Sequence, residues 1–408
     1  MKAVTWQGKR DVRVDTVPDP KLLKANDAIV RVTSSGICGS DLHLYEVMGP
    51  FMTPGDVLGH EPMGVVEEVG STVRHIKPGD RVVIPFNISC GECTMCARGL
   101  QSQCETTQVK RYGKGASLFG YTKLYGQVPG GQAEYVRVPQ AQYGPIPVPH
   151  DGPDDRYVYL SDVLPTAWQA VQYADVPPDG SVAVFGLGPI GQFSARVARH
   201  LGASTVIGID RVPERLARAR QYGATPLDLR EHGKRIGDAI RDLTDGYGAD
   251  SVIDAVGMEA HGAPVAGLAQ QLTGWLPTAL SQPMMKYASI DRLSALYAAI
   301  DAVRRGGCIS CSGVYGGQLD PIPMMDLFDK QVTVRMGQAN VRRWVDDIMP
   351  LLRQTSDPLG VEDFSTHRLP LDDAPKAYEM FQHKTDHAMK ILLQPGTRAG
   401  HEPIAEAM

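Results

Sequence analysis

The sequence predicts an α/β protein, with a β-rich first part followed by a doubly wound parallel sheet. Three observations predict it. Short apolar runs punctuated by Gly and Pro fill roughly the first 150 residues; a glycine turn joins an apolar strand to a helix near residue 186; and strands alternate with helices after it. In the first part, Asp27–Thr33 alternates apolar and polar residues, and Gly64–Val69 and Arg81–Ile84 read as further strands. Pro and Gly thicken from Pro139 to Pro153, as on the approach to a boundary. Ser181–Phe185 is then a strand, followed by a helix to Leu201, a strand over Thr205–Ile209 and a helix over Pro213–Tyr222. Thr225–Leu227, Lys234–Thr244 and Ser251–Val256 continue the alternation. Met258–Ile290 has no clean period and reads as an insertion. A helix over Arg292–Arg304, a strand over Cys308–Val314 and a helix around Trp344–Arg353 follow, and the tail from Pro395 is expected to be poorly ordered.

A length of 408 residues leaves room for two or three domains. The net charge of -5 offers no basic field to nucleic acid or to an anionic membrane. Met1–Arg10 lacks the apolar core of a signal peptide, and no run of about 18 apolar residues would span a bilayer. A soluble, cytoplasmic protein is expected. Seven cysteines are present, and four of them crowd between Cys90 and Cys104, a pattern of metal ligands rather than of a disulfide framework.

Gly186, Gly188 and Gly191 form G-x-G-x-x-G directly after a strand, with Pro189 and Ile190 opening the helix. That arrangement lets a backbone approach a pyrophosphate at a helix N-terminus. Asp210 ends the next strand, where an acid binds ribose hydroxyls and repels a 2′-phosphate, so NAD is favoured over NADP. Arg211 could accommodate such a phosphate, and Arg215 and Val314 are further expected cofactor contacts.

Cys90-x2-Cys93-x2-Cys96-x7-Cys104 can close a tetrahedral thiolate shell with no open position, which describes a structural site for zinc or an iron–sulfur cluster. A second constellation is dispersed. Cys38 lies in Gly36-Ile37-Cys38-Gly39-Ser40-Asp41-Leu42-His43, and His60 in Gly59-His60-Glu61-Pro62-Met63-Gly64.

Together, in this order and at this spacing, these motifs resemble the zinc-containing medium-chain alcohol dehydrogenases over nearly the whole chain. Within that superfamily the sequence is similar to the glutathione-independent formaldehyde dehydrogenase and formaldehyde dismutase branch. Gly130-Gly131-Gln132-Ala133-Glu134-Tyr135-Val136, Leu160-Ser161-Asp162-Val163-Leu164-Pro165-Thr166 and the insertion carry that finer likeness. The resemblance implies a GroES-like catalytic domain over 1–162, with a structural zinc lobe at 88–106. It implies a Rossmann domain over 163–337, interrupted at 258–290, and a return to the catalytic domain over 338–408. It also implies two zinc ions per chain and a homo-oligomer, dimer or tetramer.

Residue by residue, the resemblance makes Cys38, His60 and Asp162 the catalytic zinc ligands. Many relatives have a cysteine where Asp162 stands. Cys⁻, neutral His and Asp⁻ balance Zn²⁺ and leave a fourth position open. Glu61 matches a glutamate beside the metal, Ser40 the hydroxyl that bonds the substrate oxygen, and His43 the outer end of a proton relay. Asp41 would buttress His60. Thr166 and Ile190 match positions at the nicotinamide, and Lys390 a basic residue on the pyrophosphate.

The implied function is hydride transfer between a small alcohol or hydrated aldehyde and NAD, with aldehyde dismutation where NADH stays bound. A polyol or secondary alcohol dehydrogenase is the alternative within the class. A catalytically silent zinc scaffold is the alternative outside it, yet such a protein is expected to lose Cys38, His60 or Asp162. A nucleic-acid-binding zinc protein disagrees with Glu92 and Glu105 beside the cysteines. The insertion, placed after a strand end, is expected to cover the cofactor, a surface excursion or subunit contact being the alternative.

Overall fold

The computed structural model describes residues 1–257, 293–314 and 322–396, so the insertion with its expected covering role and the tail from 397 lie outside the described residues. Two compact units are present. One comprises Met1–Pro165 and Ala339–Met408, the other Thr166–Gln338.

The first unit carries β1 (Lys2–Gly8), β2 (Asp11–Thr16), β3 (Ala28–Ile37), β4 (Asp56–Val57), β5 (Glu61–Val69), β6 (Arg81–Val83), β7 (Tyr135–Val138) and β8 (Ile146–Pro147). The second carries β9 (Ser181–Phe185), β10 (Thr205–Asp210), β11 (Thr225–Asp228), β12 (Ala249–Asp254), β13 (Val303–Cys311) and β14 (Thr333–Met336). The chain then returns to the first unit for β15 (His367–Pro370) and β16 (Ile391–Gln394).

In the first unit, a small sheet runs β2-β1-β4 and a larger one β15-β16-β3-β5-β6-β8, with β7 also paired to β3. Ala28, Val30 and Val32 of β3 pack with Val66, Val82 and Val136 in one core, the inward side of the alternation read from the sequence. β3 and β5 are antiparallel, and Gly36 stands opposite Glu61. The end of β3, which leads into Cys38, therefore lies beside the start of β5, which follows His60. Two motifs 22 residues apart in sequence meet because of this register.

In the second unit, the strands described are all parallel in the order β11-β10-β9-β12-β13-β14. Numbered within the unit this is 3-2-1-4-5-6, the doubly wound order whose crevice lies at the carboxyl end of its first strand. The fold class is therefore as the sequence predicts. Boundaries differ around β13, which covers Val303–Cys311 where the sequence predicts a strand over Cys308–Val314. The helix expected to run to Arg304 covers Ser294–Ala302, and Val303 already pairs with Ala249 of β12. Sheet pairing overrides the helical pattern there. β14 lies outside the elements expected from the sequence although Thr333-Val334-Arg335-Met336 alternates polar and apolar residues; it is only four residues long, and all four are exposed. No described helix is long and apolar enough to cross a membrane.

Candidate active site and metal centres

Cys90, Cys93, Cys96 and Cys104 bring their sulfurs within 4.8 Å of one another. The lobe supplies its own hydrogen-bond donors. The Glu92 and Cys93 amides point at Cys90 Sγ at 3.4 Å, the Cys90 amide at Cys104 Sγ at 3.3 Å, and Thr106 Oγ1 at Cys90 Sγ at 3.2 Å. Such donors favour thiolates. Burial raises the Cys93 thiol, but the amides of Cys96 and Glu105 outweigh it and bring its pKa down to about 6. The lobe is tied to its surroundings by the Ser102 amide, which donates to Asn340 Oδ1 at 3.0 Å. This cysteine cluster fits a structural zinc site.

The second group consists of Cys38, His60, Glu61 and Asp162, again with one donor atom each within 4.8 Å of the others. Cys38 stands just before the helix Gly39–Glu46, where its amide donates to Asp41 Oδ2 at 2.9 Å. His60 ends the turn before β5, and Asp162 precedes the helix Val163–Ala174. Cys38 Sγ lies 3.7 Å from Asp162 Oδ2, and His60 Nε2 lies 3.3 Å from both Asp162 Oδ2 and Ser40 Oγ. The other imidazole nitrogen, Nδ1, is 3.2 Å from Asp41 Oδ1. His43 sits one turn after Ser40 on the same helix, and so on the same face.

This group is built for a cation. Burial pushes the Cys38 thiol up to about 11, helped by the nearby Glu61 and Asp162 carboxylates. Burial works against the His60 imidazolium, but Asp41 and Asp162 raise its pKa well above the usual histidine value. Glu61 Oε1 is buried with no hydrogen-bond partner. Thiol, imidazole and carboxylates converging in a buried place are a donor set for Zn²⁺, which would displace protons from Cys38 and His60 on binding.

Lys390 requires a correction. The likeness to relatives placed it on the cofactor pyrophosphate. It is fully buried in the first unit, paired with Glu61 Oε2, and its Nζ donates to the Ile37 carbonyl at 3.1 Å. Burial lowers its pKa, yet Glu61 and then Cys38 raise it overall, so it stays charged. It acts as a counter-charge to Glu61 within the Cys38–His60–Glu61–Asp162 group. The pair fills the space over Gly36, where an added Cβ would come within 2.0 Å of Glu61 Oε2. Sequence reasoning also missed Phe86, whose ring stands edge-on to His60 with centroids 6.3 Å apart. An apolar residue after a proline gives no signal of that.

In the second unit, the glycine loop leaves β9 and opens the helix Pro189–His200, with Pro189 at its first position. Gly191 has no alternative, since a Cβ there would lie 1.7 Å from the Gly186 carbonyl oxygen. Asp210 Oδ2 accepts from the Leu187 amide at 2.6 Å, and Oδ1 accepts from the Arg211 and Val212 amides at 2.6 and 3.0 Å. Arg215 Nη1 lies 3.7 Å from Asp210 Oδ2. The acid thus ties the loop to the end of β10, with two arginines beside it. Ile190 opens the same helix, Val314 is exposed just beyond β13, and Thr166 lies in the helix Val163–Ala174.

Residues 24–148 match the alcohol dehydrogenase GroES-like domain, and residues 189–266 match the zinc-binding dehydrogenase family. The chain belongs to the zinc-type alcohol dehydrogenases. It is 40% identical to an uncharacterized zinc-type alcohol dehydrogenase-like protein, AdhB, of Bacillus subtilis, over 97% of this chain and 100% of that one. It is 34% identical to a formaldehyde dismutase of Pseudomonas putida, over 93% of this chain and 94% of that one. Among solved structures, alcohol dehydrogenase TADH from Thermus sp. ATN1 superposes with a TM-score of 0.79 at 36% identity, covering 97% of this chain and 100% of its own.

Proposed function

We propose that this zinc-dependent dehydrogenase oxidises small primary alcohols or hydrated aldehydes with NAD, and that its chemistry is of the formaldehyde dehydrogenase or dismutase kind. The observation that carries this reading is the convergence of Cys38, His60 and Asp162 beside Ser40, with Glu61 next to them. The dismutase relative favours the aldehyde branch.

When bound, zinc supplies Lewis acidity and the dinucleotide a two-electron hydride acceptor. Cys38, His60 and Asp162 would hold the metal, and Asp41 would keep His60 protonated at Nδ1 so that Nε2 faces it. Ser40 Oγ would take the proton of the substrate hydroxyl and pass it on towards His43. Gly186, Gly188, Pro189, Ile190 and Gly191 would cradle the pyrophosphate at the helix N-terminus, and Asp210 would receive the ribose hydroxyls. Arg211 and Arg215, standing beside that acid, set how firmly a 2′-phosphate is refused.

A panel of formaldehyde, primary alcohols, secondary alcohols and polyols, read by NADH absorbance, tests the substrate class. Oxidation of polyols but not of formaldehyde would overturn the aldehyde reading. Asp162→Ala should lose one zinc of two per chain and lower activity by orders of magnitude while the four-cysteine site stays filled. A variant that keeps both metals would remove Asp162 from the ligand set.

A further inference from the structure

We propose that Gln132 and Tyr378 are positioning residues for the metal-binding histidine, acting through Asp41. The inference rests on the reading of Cys38, His60 and Asp162 as a zinc site. Tyr378 lies in the helix Ala374–His383, far along the chain from His60, yet both serve one buried chain of polar groups. The Tyr378 hydroxyl donates to Gln132 Oε1 at 2.8 Å. Gln132 Nε2 donates to the Gly36 carbonyl at 3.2 Å and reaches Asp41 Oδ2 at 3.4 Å. Asp41 Oδ1 then stands 3.2 Å from His60 Nδ1, an electrostatic contact rather than an aligned hydrogen bond. Tyr378, Gln132 and Asp41 are all fully buried, and His60 is 5% exposed.

The direction of each bond gives the chain its meaning. An amide side chain can present either its oxygen or its nitrogen. Here the Gly36 carbonyl, which can only accept, demands that Nε2 face it and Asp41, and the Tyr378 hydroxyl then donates to the Oε1 left on the other side. Asp41 then receives donors from Gln132 and from the Cys38 amide, both at Oδ2, which leaves Oδ1 towards His60. An acceptor at that place selects the His60 tautomer with its proton on Nδ1, which leaves the Nε2 lone pair for a metal. A flipped Gln132 would set its oxygen against the Asp41 carboxylate.

The backbone clamps the amide in place. The Gln132 amide donates to the Leu58 carbonyl at 2.9 Å, and its carbonyl accepts from the Val4 amide at 2.8 Å. Gly59, immediately before His60, adopts φ +93°, and a Cβ there would lie 2.3 Å from Gln132 Cγ. The Gly130–Val136 motif therefore has a local purpose: it seats Gln132 against the turn that presents His60.

The test uses the full-length zinc protein. Tyr378→Phe, Gln132→Leu and the double variant are titrated with a chromophoric chelator, and zinc release is followed from both sites, the four-cysteine site serving as internal reference. Gln132→Leu should weaken the Cys38–His60–Asp162 site roughly 10- to 100-fold, and Tyr378→Phe by a smaller factor, with the reference site unmoved. Removing both polar partners should recover the melting temperature lost in Gln132→Leu, because no buried hydroxyl is then left unpaired. It should not recover metal affinity. That split separates positioning from mere packing. Wild-type affinity in folded Tyr378→Phe and Gln132→Leu, or affinity that returns with stability in the double variant, would overturn the proposal. Should Gln132→Leu not fold, Tyr378→Phe, which deletes one oxygen, decides alone. Asp162→Ala is the parallel control: if it keeps both zinc ions, the metal-site reading itself has failed, whereas loss of one zinc there with unchanged affinity in the other variants rejects only the positioning chain.

Discussion

The four thiols of the lobe all lie between Cys90 and Cys104, whereas the donors of the second group are spread from Cys38 to Asp162 and lean on Lys390. Both gather their donor atoms within the same 4.8 Å. They differ in what does the gathering. In the lobe, amides from the same fifteen residues point at the sulfurs, while side chains from outside it, Asn340, Gln142 and Tyr143, fasten its turns rather than its sulfurs. In the second group the β3–β5 register, the loop carrying Gln132 and the last strand's approach each supply a necessary piece. A closed structural centre can be self-contained, while a centre that keeps a position open must be held rigid from outside.

The largest effect should come from breaking the lobe. Cys104→Ser should empty that site and forfeit metal-linked folding energy on the order of 10 kcal/mol. Zinc per chain and thermal melting check it, and an unaltered melt would mean that the lobe is ornament rather than staple. Next in size is a contrast in thiol reactivity after gentle zinc removal. With pKa values of about 6 for Cys93 and about 11 for Cys38, iodoacetamide at pH 7.5 should label Cys93 and spare Cys38. The sign follows from the thiolate being the nucleophile: Cys93 should react progressively more slowly as pH falls through about 6, and Cys38 should gain reactivity only near pH 11. Mass mapping of the labelled peptides reads both, and equal labelling would erase the electrostatic difference between the two centres.

Lys390→Met strands Glu61 as a buried charge and should cost about 3–5 kcal/mol in denaturant unfolding. Adding Glu61→Gln should restore most of it. A silent single variant would show that the second centre does not need its distant counter-charge. The smallest effect is expected from Asn340→Ala, which leaves the buried Ser102 amide without its acceptor and should cost about 1–3 kcal/mol. Zinc content should stay normal, since the sulfurs keep their own donors. Loss of lobe zinc in this variant would blur the contrast, because the lobe would then depend on long-range support as well.

Much of this was legible in order along the chain. The cysteine spacing, the G-x-G-x-x-G turn and Asp210 are local signals, for which sequence distance and spatial distance nearly coincide. Lys390 was not legible. A lysine near a C-terminus is exposed by default, and only strand pairing of Ile391 with Ile37 carries it into the interior beside Glu61. Gln132 stood within a motif that could be matched to relatives but not explained, because its partners Tyr378, Gly36 and Asp41 come from three other parts of the chain.

By itself, then, the sequence determined the parallel sheet, the family, the thiolate lobe and the residue types able to bind a metal. These follow from periodicity, from glycine sterics and from ligand chemistry, all of which act over a few residues. Only the tertiary structure decided that the Cys38 motif faces the His60 motif, that Lys390 neutralises the interior rather than a cofactor, and that Tyr378 orients an amide toward Asp41. Those outcomes depend on strand register, where a shift by one residue reverses every side chain, and register is settled by the whole core at once.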